Sequence, residues 1–553
     1  MNIYISNRSQ ISADIVRSKK RALTDDNTEY GYSNDINNSQ NREDNNMNNM
    51  SNIMIDITQI LSVYVLWKAK HHNKNAVFEL SFKKNPFGGE YTVFAGLDDM
   101  LNTIKNFKFN NNYINYLKSV THITDNLFFN WLLSLNTNNI TIHALKEGTL
   151  CFPNIPIIRI EGTLAVCQLL ETTIINIINK SSLICTYASR LHNINGNNKT
   201  LCEYKTQSLM VSKYNYLGGY SSTTNVEAGI RFGIQVNLVM NRSYILSFKD
   251  YDYNELNSLE IDGKSFYQLV KQYQHILKFN NTNKSELAAF ATYASYYPDD
   301  FVAHVDTYDT LKSGILNFII VACVLHFFGK KAKGVHIGSG DLAYLSKEVR
   351  KMFIYMGSLN TYFDYFKDFK ISVSNNIDEN ILIALNHQNH EINEFCIQDN
   401  NTYADLDFEY ALVEIDSKPQ MNNKISIPAK KNINRLYYNN EPYVDILTLD
   451  TETQPTSGKI IYCQDPFYSM KRVNIIPTKV ESLLNLAYSN HEIKTDTVNL
   501  SDIRNYVIQQ LSVMRSDHLR LTNPTPYKVS ISEKLVDLMN QMRNKEISIG
   551  YLE

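Results

Sequence analysis

The sequence lacks any pair of cysteines at the spacing of a metal-binding or redox motif. Its 7 cysteines are scattered, their number is odd, and none form a C-x-x-C pair. This pattern argues against a zinc cluster and against a framework of disulfide bonds. It indicates a reducing compartment, and we therefore expect a cytoplasmic protein.

An excess of charge of one sign and long apolar runs are also missing. The formal net charge is -2, so the composition predicts no general attraction to nucleic acid or to an acidic membrane. The N-terminus has no apolar region of the kind that marks a secretory signal. The longest apolar run, residues 315–328, is interrupted by Asn317 and His326. It is too short to span a membrane, and it predicts a buried strand or helix.

What is present is typical of a globular protein with more than one domain. The chain has 553 residues, of which 43% are hydrophobic and 20% charged. Residues 25–52 are rich in Asn, Asp and Ser, and such a segment cannot bury enough apolar surface to order itself. We therefore predict a disordered lead-in over residues 1–52. The remaining boundaries that we predict are a flanking domain over 53–162, a barrel domain over 163–400 and a C-terminal segment over 401–553 that packs back on the flanking domain.

The fold class that the pattern predicts is α/β. After residue 164, short apolar runs typical of strands alternate with helical segments; examples are residues 234–236, 302–305, 334–337, 371–373 and 394–397. Repeated βα units predict a parallel sheet or barrel with ligand chemistry at the carboxyl ends of the strands.

One stretch after the first barrel helices is a candidate ligand turn. Gly218 and Gly219 are followed by Ser222, Thr224 and Asn225. Paired glycines allow close backbone approach, and Thr224 or Asn225 can cap a helix whose free N–H groups hold an anion. These residues are therefore candidates for substrate binding. A capped turn without any ligand explains the same pattern equally well.

Short motifs run in order through nearly the whole predicted ordered region. They are Pro86-Phe87-Gly88-Gly89, Ala95-Gly96-Leu97, Glu147-Gly148-Thr149-Leu150, Gln168-Leu169-Leu170-Glu171-Thr172, the stretch 216–229, Val305-Asp306-Thr307-Tyr308, Ser339-Gly340-Asp341-Leu342 and Ser374-Asn375-Asn376-Ile377-Asp378-Glu379. In this order they resemble the nicotinate phosphoribosyltransferase family of NAD salvage, over about residues 55–543.

The resemblance implies a fold and a reaction. The implied fold is a phosphoribosyltransferase-type α/β barrel with a flanking α+β domain built from both chain ends. The implied assembly is a homodimer whose site is partly made by the neighbouring subunit. The family joins nicotinate to phosphoribosyl pyrophosphate, giving nicotinate mononucleotide and pyrophosphate. ATP hydrolysis drives the reaction through a phosphorylated histidine, with Mg²⁺.

Residues that the family uses for chemistry are replaced in this chain. The phosphoryl-accepting histidine aligns with Arg242, whose guanidinium is permanently protonated and has no lone pair to accept a phosphoryl group. His336 stands where an arginine helps to hold the pyridine carboxylate, and Gly338 stands where the family has an aspartate. Thr58 replaces the tyrosine that stacks on the nicotinate ring.

Two anion-binding motifs have also lost the residues that the family uses. The family's G-L-R-R pair aligns with Lys205-Thr206-Gln207-Ser208, so two fixed positive charges are lost. The phosphate-cradling G-I-G-T-S loop aligns with Cys396-Ile397-Gln398-Asp399-Asn400, which places a carboxylate where an anion would bind. The surviving Glu147, Asp306 and Asp341 are substrate-site or catalytic-site candidates, although caps at strand ends explain them equally well. We assign no residue a catalytic role, and we expect no metal site from His304 and His336.

These losses predict a family member whose catalysis is lost or severely weakened, and they argue against the use of ATP and Mg²⁺. The alternative is a catalytically inactive paralogue that serves as a binding, regulatory or assembly module. It would form a homodimer or a heteromer with an active paralogue. A working enzyme on nicotinate and phosphoribosyl pyrophosphate is the competing hypothesis.

Overall fold

The structure is a computed structural model that describes residues 53–196, 198–205, 208–249, 260–261, 263–398, 404–421, 427–496 and 498–546. The predicted lead-in over residues 1–52 lies outside the described residues. So do Thr206, Gln207, Asp399 and Asn400 of the two anion-binding motifs.

The helices and strands alternate in the barrel region and are mostly strands after it. The strands are β1 Asn75–Phe82, β2 Thr92–Val93, β3 Thr141–Ala144, β4 Leu150–Cys151, β5 Ile158–Thr163, β6 Thr200–Tyr204, β7 Ser222–Thr223, β8 Glu260–Ile261, β9 Lys264–Ser265, β10 Val302–His304, β11 Gly334–Ile337, β12 Lys370–Val373, β13 Glu394–Gln398, β14 Phe408–Ile415, β15 Lys418–Pro419, β16 Lys431–Tyr438, β17 Glu441–Leu449, β18 Ile461–Gln464, β19 Arg472–Ile475, β20 Lys479–Ser482, β21 Asn485–Ser489, β22 Glu492–Ile493 and β23 Lys528–Ile531. The α-helices are α1 Ile57–Lys68, α2 Leu97–Lys105, α3 Asn111–Thr121, α4 Asn126–Ser134, α5 Leu164–Asn195, α6 Leu209–Gly218, α7 Val226–Phe232, α8 Arg242–Leu246, α9 Phe266–Leu277, α10 Lys284–Tyr296, α11 Ile315–Phe327, α12 Leu342–Leu359, α13 Glu379–His387, α14 Leu500–Val513 and α15 Glu533–Glu546.

A parallel sheet forms the centre of the barrel region. Its described strands are ordered β10-β11-β12-β13-β6-β7, and every neighbouring pair is parallel. One face of the sheet carries apolar side chains such as Val335 and Ile371, which share an apolar core with α11. The other face carries polar side chains, among them His336 and its register partner Ser372. The segment after β7 was predicted as a strand over 234–236, but it contributes only a single parallel bridge from Val236 to Thr223. The Met240 carbonyl then lies 3.2 Å from His304 Nδ1 on β10, so this segment spans the gap between the two edges of the sheet.

The long apolar run is a buried helix, one of the two alternatives that the sequence predicts, whereas the prediction that it is too short to span a membrane is wrong, because the helical segment begins at Thr310. Residues Thr310–Phe327 are long and apolar enough to cross a membrane by length and composition alone, but 72% of that window is buried inside the fold. Phe318, Ile319 and Val321 of α11 are completely buried in the barrel core. The apolar character of this run is therefore accounted for by packing against the sheet.

The flanking region combines both ends of the described chain. Its main sheet has the order β15-β14-β1-β5-β3-β21-β22, in which β14 pairs with β1 and β21 pairs with β3. A second sheet has the order β19-β18-β23-β17-β16-β20. Lys431 of β16 forms a buried ion pair of 2.8 Å with Glu79 of β1. These pairings confirm the predicted fold class, whereas the domain boundaries themselves stay a prediction.

Candidate active site

The carboxyl ends of the parallel strands surround a cavity of about 250 Å³. Strands of a parallel sheet all end on the same edge, so residues far apart in sequence meet there. The wall includes residues from the ends of β6 and β10 to β13 and from the start of α8, among them Lys205, Arg242, His304, Gly338, Asn375 and Gln398. Two cationic side chains and several amides therefore face one small space.

Arg242 lies at the first position of α8 and points toward this cavity. Asn241 caps the helix by accepting a hydrogen bond of 3.1 Å from Ser243 N. Arg242 Nη2 donates to Asp306 Oδ2 at 2.8 Å, and the arginine side chain remains 43% exposed. The guanidinium is thus anchored at one nitrogen, and its other N–H groups remain available to a ligand.

Asp306 is the centre of what we call the Arg242 cluster, made of Arg242, His304, Asp306 and Ser339. Ser339 Oγ donates to Asp306 Oδ2, and His304 Nε2 lies 2.7 Å from Asp306 Oδ1. Burial by itself would raise the pKa of Asp306, but the hydrogen bonds from His304 and Ser339 lower it well below its usual range. The carboxylate is therefore ionised at neutral pH.

His304 lies between two hydrogen-bond acceptors. Its Nδ1 faces the Met240 carbonyl at 3.2 Å, and its Nε2 faces the Asp306 carboxylate. Its Nε2 is also 3.4 Å from Arg242 Nη2. Asp306 is thus in contact with both Arg242 and His304.

Two other replaced positions lie beside the Arg242 cluster. A Cβ at Gly338 would be 3.2 Å from His304 Nε2 and 3.5 Å from Arg242 Nη2, so a larger residue there would enter the cluster. His336 is completely buried, and its two nitrogens lie 3.0 Å from Ser372 Oγ and 3.0 Å from Ser374 Oγ. Burial and the neighbouring His304 lower the pKa of His336 to about 3. His336 is therefore neutral, and both of its nitrogens are engaged by serine hydroxyls, one of which belongs to the cavity residue Ser374.

The glycine pair of the candidate ligand turn serves helix packing. Gly218 ends α6, and a Cβ there would be 2.5 Å from the Cys185 carbonyl oxygen of α5. Gly219 has a φ of 125°, and a Cβ there would be 2.6 Å from the His192 ring. Neither residue lines the 250 Å³ cavity. The close approach that the glycines permit is to a neighbouring helix.

The hydroxyl and amide residues of the same turn form local hydrogen bonds. Thr224 Oγ1 accepts from Lys205 N at 3.1 Å, and Asn225 caps α7 by accepting from Ala228 N at 3.3 Å. Ser222 is buried in β7. The structure thus shows the predicted cap at Asn225, and ligand binding by this turn stays a prediction.

The remaining candidates lie away from the Arg242 cluster or cap helices. Glu147 accepts hydrogen bonds of 2.7 Å from both Gly96 N and Leu97 N at the start of α2, and it lines a different cavity of about 860 Å³. Burial raises the pKa of Glu147 to about 7. Asp341 caps α12 through Tyr344 N at 2.9 Å. Thr58 Oγ1 donates to Asp56 in the exposed first turn of α1. Asp306 is the retained carboxylate that the fold brings to Arg242.

Sequence reasoning gave His304 no role in the site. Its only signal was its place next to Val305-Asp306, at the end of a predicted strand. The site residue Ser374 was part of a recognised motif, yet its contact with His336 depends on β11 and β12 being neighbours in the sheet.

The arrangement can bind an anion and cannot transfer a phosphoryl group through position 242. Lys205 and Arg242 provide charge-assisted hydrogen bonds, which are about twice as strong as neutral ones. The described residues contain no group of three or more His, Cys, Asp or Glu side chains that could hold a metal ion.

Comparison with known proteins indicates the same family as the sequence motifs. The family model described as the nicotinate phosphoribosyltransferase N-terminal domain matches residues 53–179, and the C-terminal domain model matches residues 430–539. A nicotinate phosphoribosyltransferase of Dictyostelium discoideum is 36% identical over 98% of this chain and 96% of its own length. The nicotinate phosphoribosyltransferase 1 of Arabidopsis thaliana is 39% identical over 90% of this chain and 95% of its own length. The crystal structure of human nicotinic acid phosphoribosyltransferase matches with a TM-score of 0.80 and 31% identity, covering 88% of this chain and 100% of the human chain. From its N-terminal strands to its C-terminal sheet, the chain belongs to the nicotinate phosphoribosyltransferase family.

Proposed function

We propose that this protein acts in NAD biosynthesis by binding phosphoribosyl pyrophosphate and nicotinate, and that it does not phosphorylate position 242. The observation that carries the proposal is the ion pair of 2.8 Å between Arg242 and Asp306 at the wall of the cavity. A guanidinium in this place binds an anion but cannot carry a phosphoryl group. Any transfer of the phosphoribosyl group is therefore uncoupled from ATP at this residue, and it is slow or absent.

The cavity suits the phosphate-bearing end of phosphoribosyl pyrophosphate. At about 250 Å³ it is smaller than the roughly 300–1,000 Å³ of typical ligand pockets, so it holds only part of this substrate. Lys205 and Arg242 supply the positive charge. Asn375 has a φ of 140°, a strained conformation for a residue with a side chain, and such strain concentrates at ligand sites.

We propose no resident site for Mg²⁺ or ATP. The oxygens of Asp306 face Arg242, His304 and Ser339, which leaves little room for a metal ion beside them. Mg²⁺ is commonly bound through substrate phosphates with only one or two protein carboxylates. We propose that Mg²⁺ arrives with the pyrophosphate group of the substrate.

The second candidate function is a catalytically inactive module that pairs with a second subunit. It is favoured by the exposed apolar side chains Ile57, Leu61 and Val65, which repeat every four residues along one face of α1. An exposed apolar face of this kind is typical of a protein interface. We propose a homodimer, or a heteromer with an active paralogue, in the cytoplasm. The proposal of a reducing compartment rests on the sequence, in which the 7 cysteines are scattered, odd in number and without a C-x-x-C pair.

The test is a product assay with matched variants. Purified protein is incubated with nicotinate, phosphoribosyl pyrophosphate and Mg²⁺, with and without ATP, and nicotinate mononucleotide is measured. The Arg242→His variant is compared with Arg231→His, in which an exposed arginine on α7 is changed. Slow product formation that does not depend on ATP supports the uncoupled transferase. Product from Arg242→His alone supports the inactive module.

Rapid, ATP-dependent turnover by the wild type, with acid-labile phosphate on the protein, contradicts both candidates. Light scattering gives the mass of the complex in the same preparation, and a monomer at micromolar concentration rejects the homodimer.

A further inference from the structure

Two cysteines face each other across neighbouring strands at the edge of the cavity. Cys202 of β6 and Cys396 of β13 are register partners in the parallel sheet. Neighbouring strands lie about 4.8 Å apart, and disulfides join cysteines whose Cα atoms are roughly 4.4–6.8 Å apart. The two sulfur atoms can therefore bond without any change of strand pairing.

The two thiols of the pair have different surroundings. Cys202 is completely buried and Cys396 is 1% exposed, and Cys396 contributes to the cavity wall. The Asn237 side-chain amide donates to Cys202 Sγ at 3.4 Å. The hydrogen bond from Cys396 lowers the pKa of Cys202 against the effect of burial, while the same contact and burial raise the pKa of Cys396. One thiol of the pair is thus the better nucleophile, and the other borders the space that a small oxidant can enter.

The other cysteines do not have such a partner. Cys151 lies opposite Thr92, and Cys463 lies opposite Val473. The remaining three lie within helices α5 and α11, and burial raises the pKa of Cys323 to about 12. Oxidation of this protein is therefore expected to be selective for one pair.

We propose that Cys202 and Cys396 are a modification site, at which a small peroxide entering the cavity converts the two thiols into a reversible disulfide. One Sγ–Sγ bond forms and the O–O bond of one hydrogen peroxide molecule breaks. Both sulfurs are oxidised, the peroxide is reduced, and the two thiol hydrogens leave in two molecules of water. A dithiol reverses the step and is itself converted into a disulfide. Transient disulfides of this kind are the form in which cytoplasmic proteins sense oxidants.

The disulfide between Cys202 and Cys396 would change the ligand site because both strands continue into the wall of the cavity. Tyr204 and Lys205 follow Cys202, and Gln398 follows Cys396. A covalent bond holds the two sulfurs closer than a contact between thiols does, so it draws these strand ends together. A misplacement of about 1 Å can cost on the order of 100-fold in function. We therefore expect oxidation to weaken binding of phosphoribosyl pyrophosphate, a consequence that rests on the proposed function.

The modification itself is tested by counting thiols in the full chain. Reduced protein is treated with hydrogen peroxide and unfolded, its free thiols are alkylated, and intact and peptide masses are measured. We expect 5 of the 7 cysteines to be alkylated, a peptide linking Cys202 to Cys396, and all 7 to be alkylated after dithiothreitol. Cys396→Ser removes the link, and Cys463→Ser on β18 retains it. Alkylation of all 7 after peroxide, or a link to another cysteine, overturns the proposal.

The effect on the cavity is measured separately by calorimetry with phosphoribosyl pyrophosphate. We expect binding to weaken by about tenfold or more after oxidation and to recover with dithiothreitol, whereas Cys396→Ser does not respond to peroxide. Unchanged binding by fully cross-linked protein overturns the link to the ligand site. If reduced protein does not bind phosphoribosyl pyrophosphate at all, the proposed function fails, and the thiol count still decides the modification.

Discussion

Replacing Asp306 by asparagine tests how much its ion pair with Arg242 contributes to stability. Arg242 Nη2 and Asp306 Oδ2 are 2.8 Å apart, and at an effective dielectric constant of about 20 two opposite unit charges at that distance attract by roughly 6 kcal/mol. Solvent around the 43% exposed arginine reduces this attraction. Breaking a buried ion pair by removing one partner costs about 3–5 kcal/mol. We expect Asp306→Asn to lower the free energy of unfolding by about 3 kcal/mol at pH 7.

The pH dependence of this effect has a definite sign. The folded pKa of Asp306 lies below its unfolded value of about 3.9, so its contribution is complete above pH 5. It is lost as the pH falls through the unfolded pKa toward the folded one. The difference between wild type and Asp306→Asn is therefore constant from pH 8 to 5, and it shrinks below about pH 4.

Urea unfolding followed by circular dichroism measures this difference. The matched control is Asp299→Asn, which removes an exposed pair with Lys330 and is expected to cost less than about 1 kcal/mol. The reasoning is refuted if the two variants have the same stability at pH 7. It is also refuted if the difference grows as the pH falls.

Three further substitutions test other parts of the argument. Burial raises the pKa of Glu286 to about 7 from an ordinary 4.5, so the ionised side chain destabilises the fold progressively as the pH rises from about 4.5 to 7. In urea unfolding, the free energy of unfolding of Glu286→Gln should rise relative to wild type by up to about 3 kcal/mol between pH 5 and 8. A difference that stays constant over this range would contradict the prediction. Gly338→Asp places a carboxylate beside Arg242 and should weaken phosphoribosyl pyrophosphate binding by about tenfold in calorimetry; tighter binding would show that the cavity is not an anion site. Gly219→Ala brings a methyl group to 2.6 Å from the His192 ring at a φ of 125°. The substitution should lower the free energy of unfolding by about 2 kcal/mol or more without changing the binding of phosphoribosyl pyrophosphate by the folded protein. A stable variant that does not bind this ligand would show that Gly219 belongs to the ligand site.

Arg242 shows what residue identity alone can establish. A guanidinium has no lone pair in any fold, so the loss of the phosphoryl acceptor could be predicted without coordinates. The α/β class and the family could be predicted for a similar reason, because repeated apolar runs and ordered motifs are properties of the linear chain. The expectation that the site residues follow the ends of the strands rests on the geometry of parallel sheets in general.

The partners of each side chain were decided only by the tertiary structure. His304 and Arg242 are 62 positions apart, and they meet because the segment after β7 crosses to β10. The same motif residues could have been ligands or caps, and the fold uses Asn225 and Asp341 as caps and Gly218 as a helix contact. Cys202 and Cys396 are partners because β6 lies beside β13. Identity determines what a side chain can do, whereas contacts between distant segments depend on which strands become neighbours, and neighbours such as β6 and β13 are far apart in the sequence.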